Sequence, residues 1–174
     1  MDNQYSLSLS IESTTPTSEV LYKTAAREVK IISLRETPAP EKQLLCDTPD
    51  CAATYWRNYI TRCDYFNPRV ETFVVLNLNT RRRVISHHIV SIGTLDTILI
   101  HPREVFAVSI ITNAAAMVLM HNHPSGDPTP SEADIKVTRD LIRGGQLLKI
   151  EVLDHVIMGS EKHTSLRELG YFYS

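Results

Sequence analysis

Ala116-Met117-Val118-Leu119-Met120-His121-Asn122-His123, followed by the loop-like run from Pro124 to Pro130 and then Ser131-Glu132-Ala133-Asp134, is the stretch around which the rest of the chain is ordered. The apolar run has the length of a buried strand, so His121 and His123 fall at a strand's carboxyl end, where sites on sheets are commonly built. Two apart on an extended chain, the imidazoles point the same way. Prolines, a glycine and small polar residues make Pro124-Ser125-Gly126-Asp127-Pro128-Thr129-Pro130 a rigid turn-rich loop that folds the chain back. Ser131 then suits the N-cap of a helix continuing through Leu141 and Ile142, and Asp134 falls in its first turn, near the histidines.

Each residue has an ordinary explanation when taken alone. Ser131 and Asp134 form the pattern of a capping box, and a single histidine at a strand end is more often hydrogen-bonded than a ligand. Together they change meaning. Two histidines and a carboxylate are the three protein ligands of a catalytic zinc site, whose fourth position is left to a water that the metal acidifies to a pKa of about 7. The expectation is one zinc ion per chain on His121, His123 and Asp134.

The pattern H-x-H-x7-S-x2-D resembles the JAMM motif of MPN-plus metallopeptidases. The longer string from His121 to Ser131, with His101-Pro102-Arg103-Glu104-Val105-Phe106 before it and Leu153-Asp154-His155-Val156-Ile157 after it, is similar to the RadC-like branch. The resemblance covers about residues 68 to 172. It implies an α/β fold of the MPN/JAB (cytidine-deaminase-like) type, a mixed sheet flanked by helices, and a zinc-dependent hydrolase cleaving a peptide or isopeptide bond. It also implies that the hydroxyl of Ser131 donates to the oxyanion forming on the attacked carbonyl. A carboxylate close to the metal must move protons, and Glu71 and Glu104 are available. In the JAMM pattern this glutamate stands just before an upstream strand, the place of Glu71, whereas Glu104 lies in a first helical turn, where a carboxylate gains from the helix dipole without a catalytic task. Asp154-His155 can orient a ligand histidine through its free ring nitrogen, or form a buried structural pair. His87, His88, His101 and His163 have no spacing to the motif that requires a metal role.

Around this centre the elements read as follows. A helix from about Pro49 to Arg62 is capped by Thr48 and carries Ala52, Tyr55, Trp56 and Ile60 on one face. Phe73-Val74-Val75-Leu76 and Val84-Ile85 to Ile89-Val90 flank a turn at Asn77-Leu78-Asn79-Thr80 as two antiparallel strands, and Ile98-Leu99-Ile100 is a third short apolar run. Pro102 opens a helix whose expected buried stripe is Val105, Phe106, Val108, Ile110 and Ile111, ending at Asn113. Gly144-Gly145 is expected to break the motif helix, before a strand from Ile150 to Met158.

The chain divides into an N-terminal extension, 1–47, and a domain, 48–174, large enough for a real core. In the extension Tyr5 to Ile11 alternates as a strand does, Ser13 to Ser18 has a loop-like composition, and Glu28 to Leu34 has the character of an edge strand. RadC-like proteins usually carry a helix-hairpin-helix region ahead of this domain, and the first 65 residues show no corresponding segment. With 18 basic and 20 acidic residues the net charge is −2, which provides no global drive toward nucleic acid. Arg81-Arg82-Arg83 reads as a solvated hairpin tip. The expected partner is a peptide or protein substrate, with no tight nucleic-acid binding and no membrane. The alternative is a DNA-repair-associated or nucleic-acid-binding role with a non-proteolytic metal domain, which the historical naming of RadC-like proteins suggests. Three cysteines, Cys46, Cys51 and Cys63, argue against a disulfide framework and for a reducing compartment, by default the cytoplasm.

Overall fold

The computed structural model describes residues 43–93 and 100–172. The strands expected at Tyr5 to Ile11 and Glu28 to Leu34, and the pair Ile98-Leu99, lie outside the described residues. Helix α1, Pro49–Tyr59, begins at Thr48, whose side chain accepts a hydrogen bond from the Cys51 N–H, and continues as a 3-10 turn, Ile60–Arg62. A cap of this kind is worth about 1 kcal/mol. The helix buries Ala52, Ala53 and Trp56, with Ile60 following on the same side.

Strands β1, Glu71–Leu78, and β2, Val84–Gly93, form the expected antiparallel pair. Helix α2, Pro102–Ile111, leads to β3, Ala116–Asn122. Helix α3, Glu132–Leu148, leads to β4, Glu151–Met158, and a short strand β5, His163–Ser165, closes the sheet. The order is β2-β1-β3-β4-β5. Only β3 and β4 are parallel, joined by the crossover through α3; every other neighbouring pair is antiparallel.

β3 is central and buried along its whole length, which is why its sequence is a continuous apolar run rather than an alternation. The two faces sort by parity. Val74, Leu76, Leu78, Val118 and Met120 join Trp56 of α1 and Ile60 of the turn after it in one core, whereas Phe73, Val75, Met117 and Leu119 join Phe106 of α2 and Leu141 of α3 in the other. His121 is an odd position, and so faces the α2 and α3 side.

Three expectations fail. Asn77 and Leu78, read as the start of a turn, are paired residues that close β1. Gly144 and Gly145 do not break α3, which runs on to Leu148 and ends at Lys149 in the left-handed conformation, φ 57°. The glycines serve close packing instead: a Cβ on Gly144 would stand 3.0 Å from the Phe106 ring, and one on Gly145 would collide with the carbonyl oxygen of Ile150. In α2, Val105 and Phe106 are buried as expected, but Ile110 and Ile111 are exposed, and the buried residue of that turn is Ser109. Its hydroxyl donates to Asn77 Oδ1 at 2.5 Å, so a polar residue near the end of β1 selects which side of α2 turns inward.

Candidate metal centre

Period-two alternation places Glu71, two residues before Phe73, on the same face of the sheet as His121, which pairs directly with Phe73. His123 follows β3 immediately and keeps the direction of His121. The loop then returns the chain as its composition requires. Gly126, at φ 83°, lets its backbone lie against the β4–β5 turn, where the Ser160 N–H donates to the Gly126 carbonyl at 3.0 Å. The Asp127 carboxylate accepts from the Thr129 N–H and hydroxyl, which stiffens the loop before α3.

At the start of α3 the capping box is complete. The Ser131 oxygen accepts from the Asp134 N–H at 3.2 Å, and Asp134 Oδ2 accepts from the Ser131 N–H at 2.7 Å and from its hydroxyl at 2.6 Å. This holds the carboxylate toward the histidines. His121 Nε2 lies 3.2 Å from Asp134 Oδ1, 3.7 Å from Glu71 Oε1 and 3.0 Å from His123 Nε2, which in turn lies 3.4 Å from Asp134 Oδ2. Glu71, His121, His123 and Asp134 thus bring one potential ligand atom each within 4.8 Å of one another. Glu104 is exposed in the first turn of α2 and does not belong to this group.

The donors suit a metal ion. His123 Nδ1 sits 2.8 Å from the Asp127 carbonyl oxygen. A carbonyl only accepts, so the neutral ring carries its proton on Nδ1 and turns the Nε2 lone pair toward His121 and Asp134. Lone pairs and carboxylate oxygens converging on one point are satisfied by a cation, and imidazole with carboxylate is a set that zinc and other first-row metals accept.

The electrostatics of the metal-free cluster agree. Burial raises Asp134, but the hydrogen bonds that His121 and His123 donate to it in their protonated forms outweigh burial and hold this carboxyl well below the usual range. His123 is raised, chiefly by its hydrogen bond with Asp134 and against the effect of burial. Burial raises Glu71, partly offset by His121.

Three neighbours complete the arrangement. Asn122, between the two histidines and therefore facing the opposite side of the sheet, accepts from the Thr72 N–H at 3.0 Å and donates to the Val70 carbonyl at 3.1 Å. It grips the backbone on both sides of Glu71. Phe73 stacks on His121 with ring centroids 6.0 Å apart and meets His155 edge-on at 5.4 Å. His155 Nε2 lies 2.8 Å from His121 Nδ1, and burial pushes this imidazole well below its ordinary pKa. Of the expected pair, then, His155 reaches the cluster. Asp154 faces away and binds the Ser165 hydroxyl and the backbone of His155 and Arg167. Asn122 carries a signal that sequence reasoning passed over, an amide between two histidines at the end of a buried strand.

A cavity of about 280 Å³ opens beside His123, with Trp56, Phe66 and Met158 among its walls and Arg57 and Ser160 at its polar side. A larger cleft of about 450 Å³, between Cys46, Arg82 and Glu168, shares no residue with the cluster.

Fold and centre together define a mixed α/β domain with a group able to hold a metal at the carboxyl end of its central strand. The chain belongs to the RadC-like JAB domain family, whose model matches residues 46–171. Among similar proteins are the UPF0758 protein of Desulforamulus reducens, 52% identical over 100 residues, which are 58% of this chain and 44% of that protein. A UPF0758 protein of Methanosarcina acetivorans is 45% identical over 101 residues, 58% of this chain and 44% of its own length. One from Bacillus cereus strain B4264 is 52% identical over 101 residues, 58% and 45%. The chain thus spans less than half the length of the curated relatives it matches, and their names state no activity. Among the described residues no helix is long and apolar enough to cross a membrane.

Proposed function

We propose that this chain is a zinc-dependent hydrolase of the JAMM type that cleaves a peptide or isopeptide bond with water. The observation that carries the reading is the meeting of His121 Nε2, His123 Nε2 and the Asp134 carboxylate at one point, with Glu71 Oε1 3.7 Å from His121 Nε2. His121, His123 and Asp134 are the ligands. Zinc held there supplies Lewis acidity toward the amide carbonyl and lowers the pKa of water to about 7.

The chain's own groups do the rest. Glu71 takes the proton from water as the new carbon–oxygen bond forms and delivers it to the nitrogen as the carbon–nitrogen bond breaks. Ser131 donates to the oxygen on which charge develops. To do so it turns its hydroxyl away from Asp134 Oδ2, which stays anchored by the Ser131 N–H. Of the proposed ligands only His123 lines the cavity beside it, which offers a substrate segment an approach from that side.

A peptide or protein is the proposed partner. Two of the three arginines in the run that a nucleic acid would need are engaged within the molecule: Arg82 pairs with Glu151 at 3.3 Å, and Arg83 donates to the Gln43 carbonyl at 2.6 Å. Three free cysteines, with burial pushing the Cys46 thiol up to about 12, suit the proposed cytoplasmic setting. Screening the zinc-loaded protein against peptide, isopeptide and DNA substrates tests the reading. Amide cleavage abolished by a chelator is expected; phosphodiester cleavage, or amide cleavage indifferent to both chelator and Glu71→Gln, contradicts it.

A further inference from the structure

A histidine can serve a metal through Nε2 only if its one proton sits on Nδ1, and in a free neutral imidazole nothing enforces that choice. For His123 the Asp127 carbonyl enforces it. For His121 the neighbour at Nδ1 is another imidazole, His155, which can equally donate or accept. The choice for His121 is therefore passed one residue deeper.

There the direction is set. His155 is 0% exposed, and its Nδ1 lies 2.6 Å from the hydroxyl oxygen of Thr138. That hydroxyl has one proton, and it points along α3 to the Asp134 carbonyl, also at 2.6 Å. With its proton spent on a carbonyl that can only accept, Thr138 offers His155 a lone pair. His155 then holds its proton on Nδ1 and presents a lone pair at Nε2, which accepts from His121 Nδ1–H. His121 is left with Nε2 free, aimed at His123 and Asp134.

We propose that Thr138 is a positioning residue of the metal centre: its hydroxyl, acting through His155, locks His121 in the tautomer whose Nε2 can bind the metal. The relay starts and ends on Asp134. The same residue lends its carboxylate to the cluster and its carbonyl to Thr138, so one turn of α3 places a ligand and orients another. Spacing follows from the helix, since residues four apart lie on one face. Thr138 is 0% exposed and its hydroxyl bonds the Asp134 backbone carbonyl and His155 Nδ1, which separates it from the groups that would bind the ion.

The proposal rests on the metal-binding part of the function above and not on what the enzyme cleaves, so its test uses no substrate. Long-range proton–nitrogen NMR of the metal-free protein, recorded above the histidine titration range, reports which nitrogen of each ring is protonated. Nδ1–H is expected for His121 and His155 in the wild type and in Thr138→Ser, which keeps the hydroxyl. In Thr138→Val, equal in shape and without a hydroxyl, both rings should shift toward Nε2–H. Zinc affinity, read by competition with a chromophoric chelator, should fall about 10- to 100-fold in Thr138→Val, the range typical of lost outer partners, and be restored in Thr138→Ser. Nε2–H on His121 in the wild type overturns the lock, and so does wild-type zinc affinity in a folded Thr138→Val protein. The wild-type spectrum needs no variant and decides the point even if the valine protein does not fold. Failure of the function itself looks different: Nδ1–H rings in a protein that cleaves no amide bond.

Discussion

Replacing Asn122 by alanine removes a side chain that touches none of the proposed ligands, yet it should loosen the site. Asn122 is 6% exposed and spends both ends of its amide on the backbone at Thr72 and Val70. Without it, one N–H and one carbonyl lose their partners. A buried polar group left without a partner costs about 1–3 kcal/mol, so the pair spans about 2–6 kcal/mol. The cavity beside His123 is lined by Asn122 and can admit water to one of the two groups, which brings the expected loss to about 2–4 kcal/mol. For a domain of this size that corresponds to a fall in Tm of roughly 6–15 °C. Thermal and urea unfolding of zinc-free protein measure the loss, and metal analysis of the loaded protein should still find wild-type zinc because the ligands are untouched. A Tm lowered by less than about 2 °C would refute the view that Asn122 holds the strand end carrying Glu71.

Other outcomes follow from the same geometry. Glu71→Gln should keep fold and zinc but lose about 100-fold or more in hydrolysis, whereas Glu104→Gln should not; the reverse ranking in steady-state rates moves the proton-transfer role to Glu104. Gly145→Ala should destabilise by about 1–3 kcal/mol, because its Cβ meets the Ile150 carbonyl. Gly144→Ala should stay within about 1 kcal/mol of wild type, a helix-propensity gain offsetting a small shift of the Phe106 ring, and equal losses at the two positions in urea unfolding would contradict the packing given for them. In an anisotropy titration near roughly 0.15 M salt no tight DNA binding is expected, and submicromolar affinity that drops when Arg81, Arg82 and Arg83 are neutralised together would reverse the choice of partner.

What could be read from the sequence was whatever local period or spacing encodes. The run from Ala116 to Met120 announced a strand buried on both faces, the two histidines at its end shared a direction, and Ser131 with Asp134 announced the start of α3. Glu71, the first residue of β1, was placed beside them by the resemblance to the JAMM pattern and not by any local spacing. The misreadings share a cause, which is that tertiary packing overrides local chemistry. Gly144-Gly145 looks like a helix breaker until Phe106 and the Ile150 carbonyl press against it. Ile110 and Ile111 look buried until the Asn77 amide draws Ser109 inward in their place. The relay from Thr138 through His155 joins residues 17 apart in sequence by a hydrogen bond between a helix and a strand, and no spacing rule announces such a contact.

Metal content of the purified protein is the most direct test of the central claim. Elemental analysis should find one zinc per chain in the wild type and none in His121→Ala/His123→Ala, with the variant's fold verified by circular dichroism. Stoichiometric zinc retained by that double variant, or a folded wild type that takes up no zinc from a zinc-supplemented buffer, would contradict it.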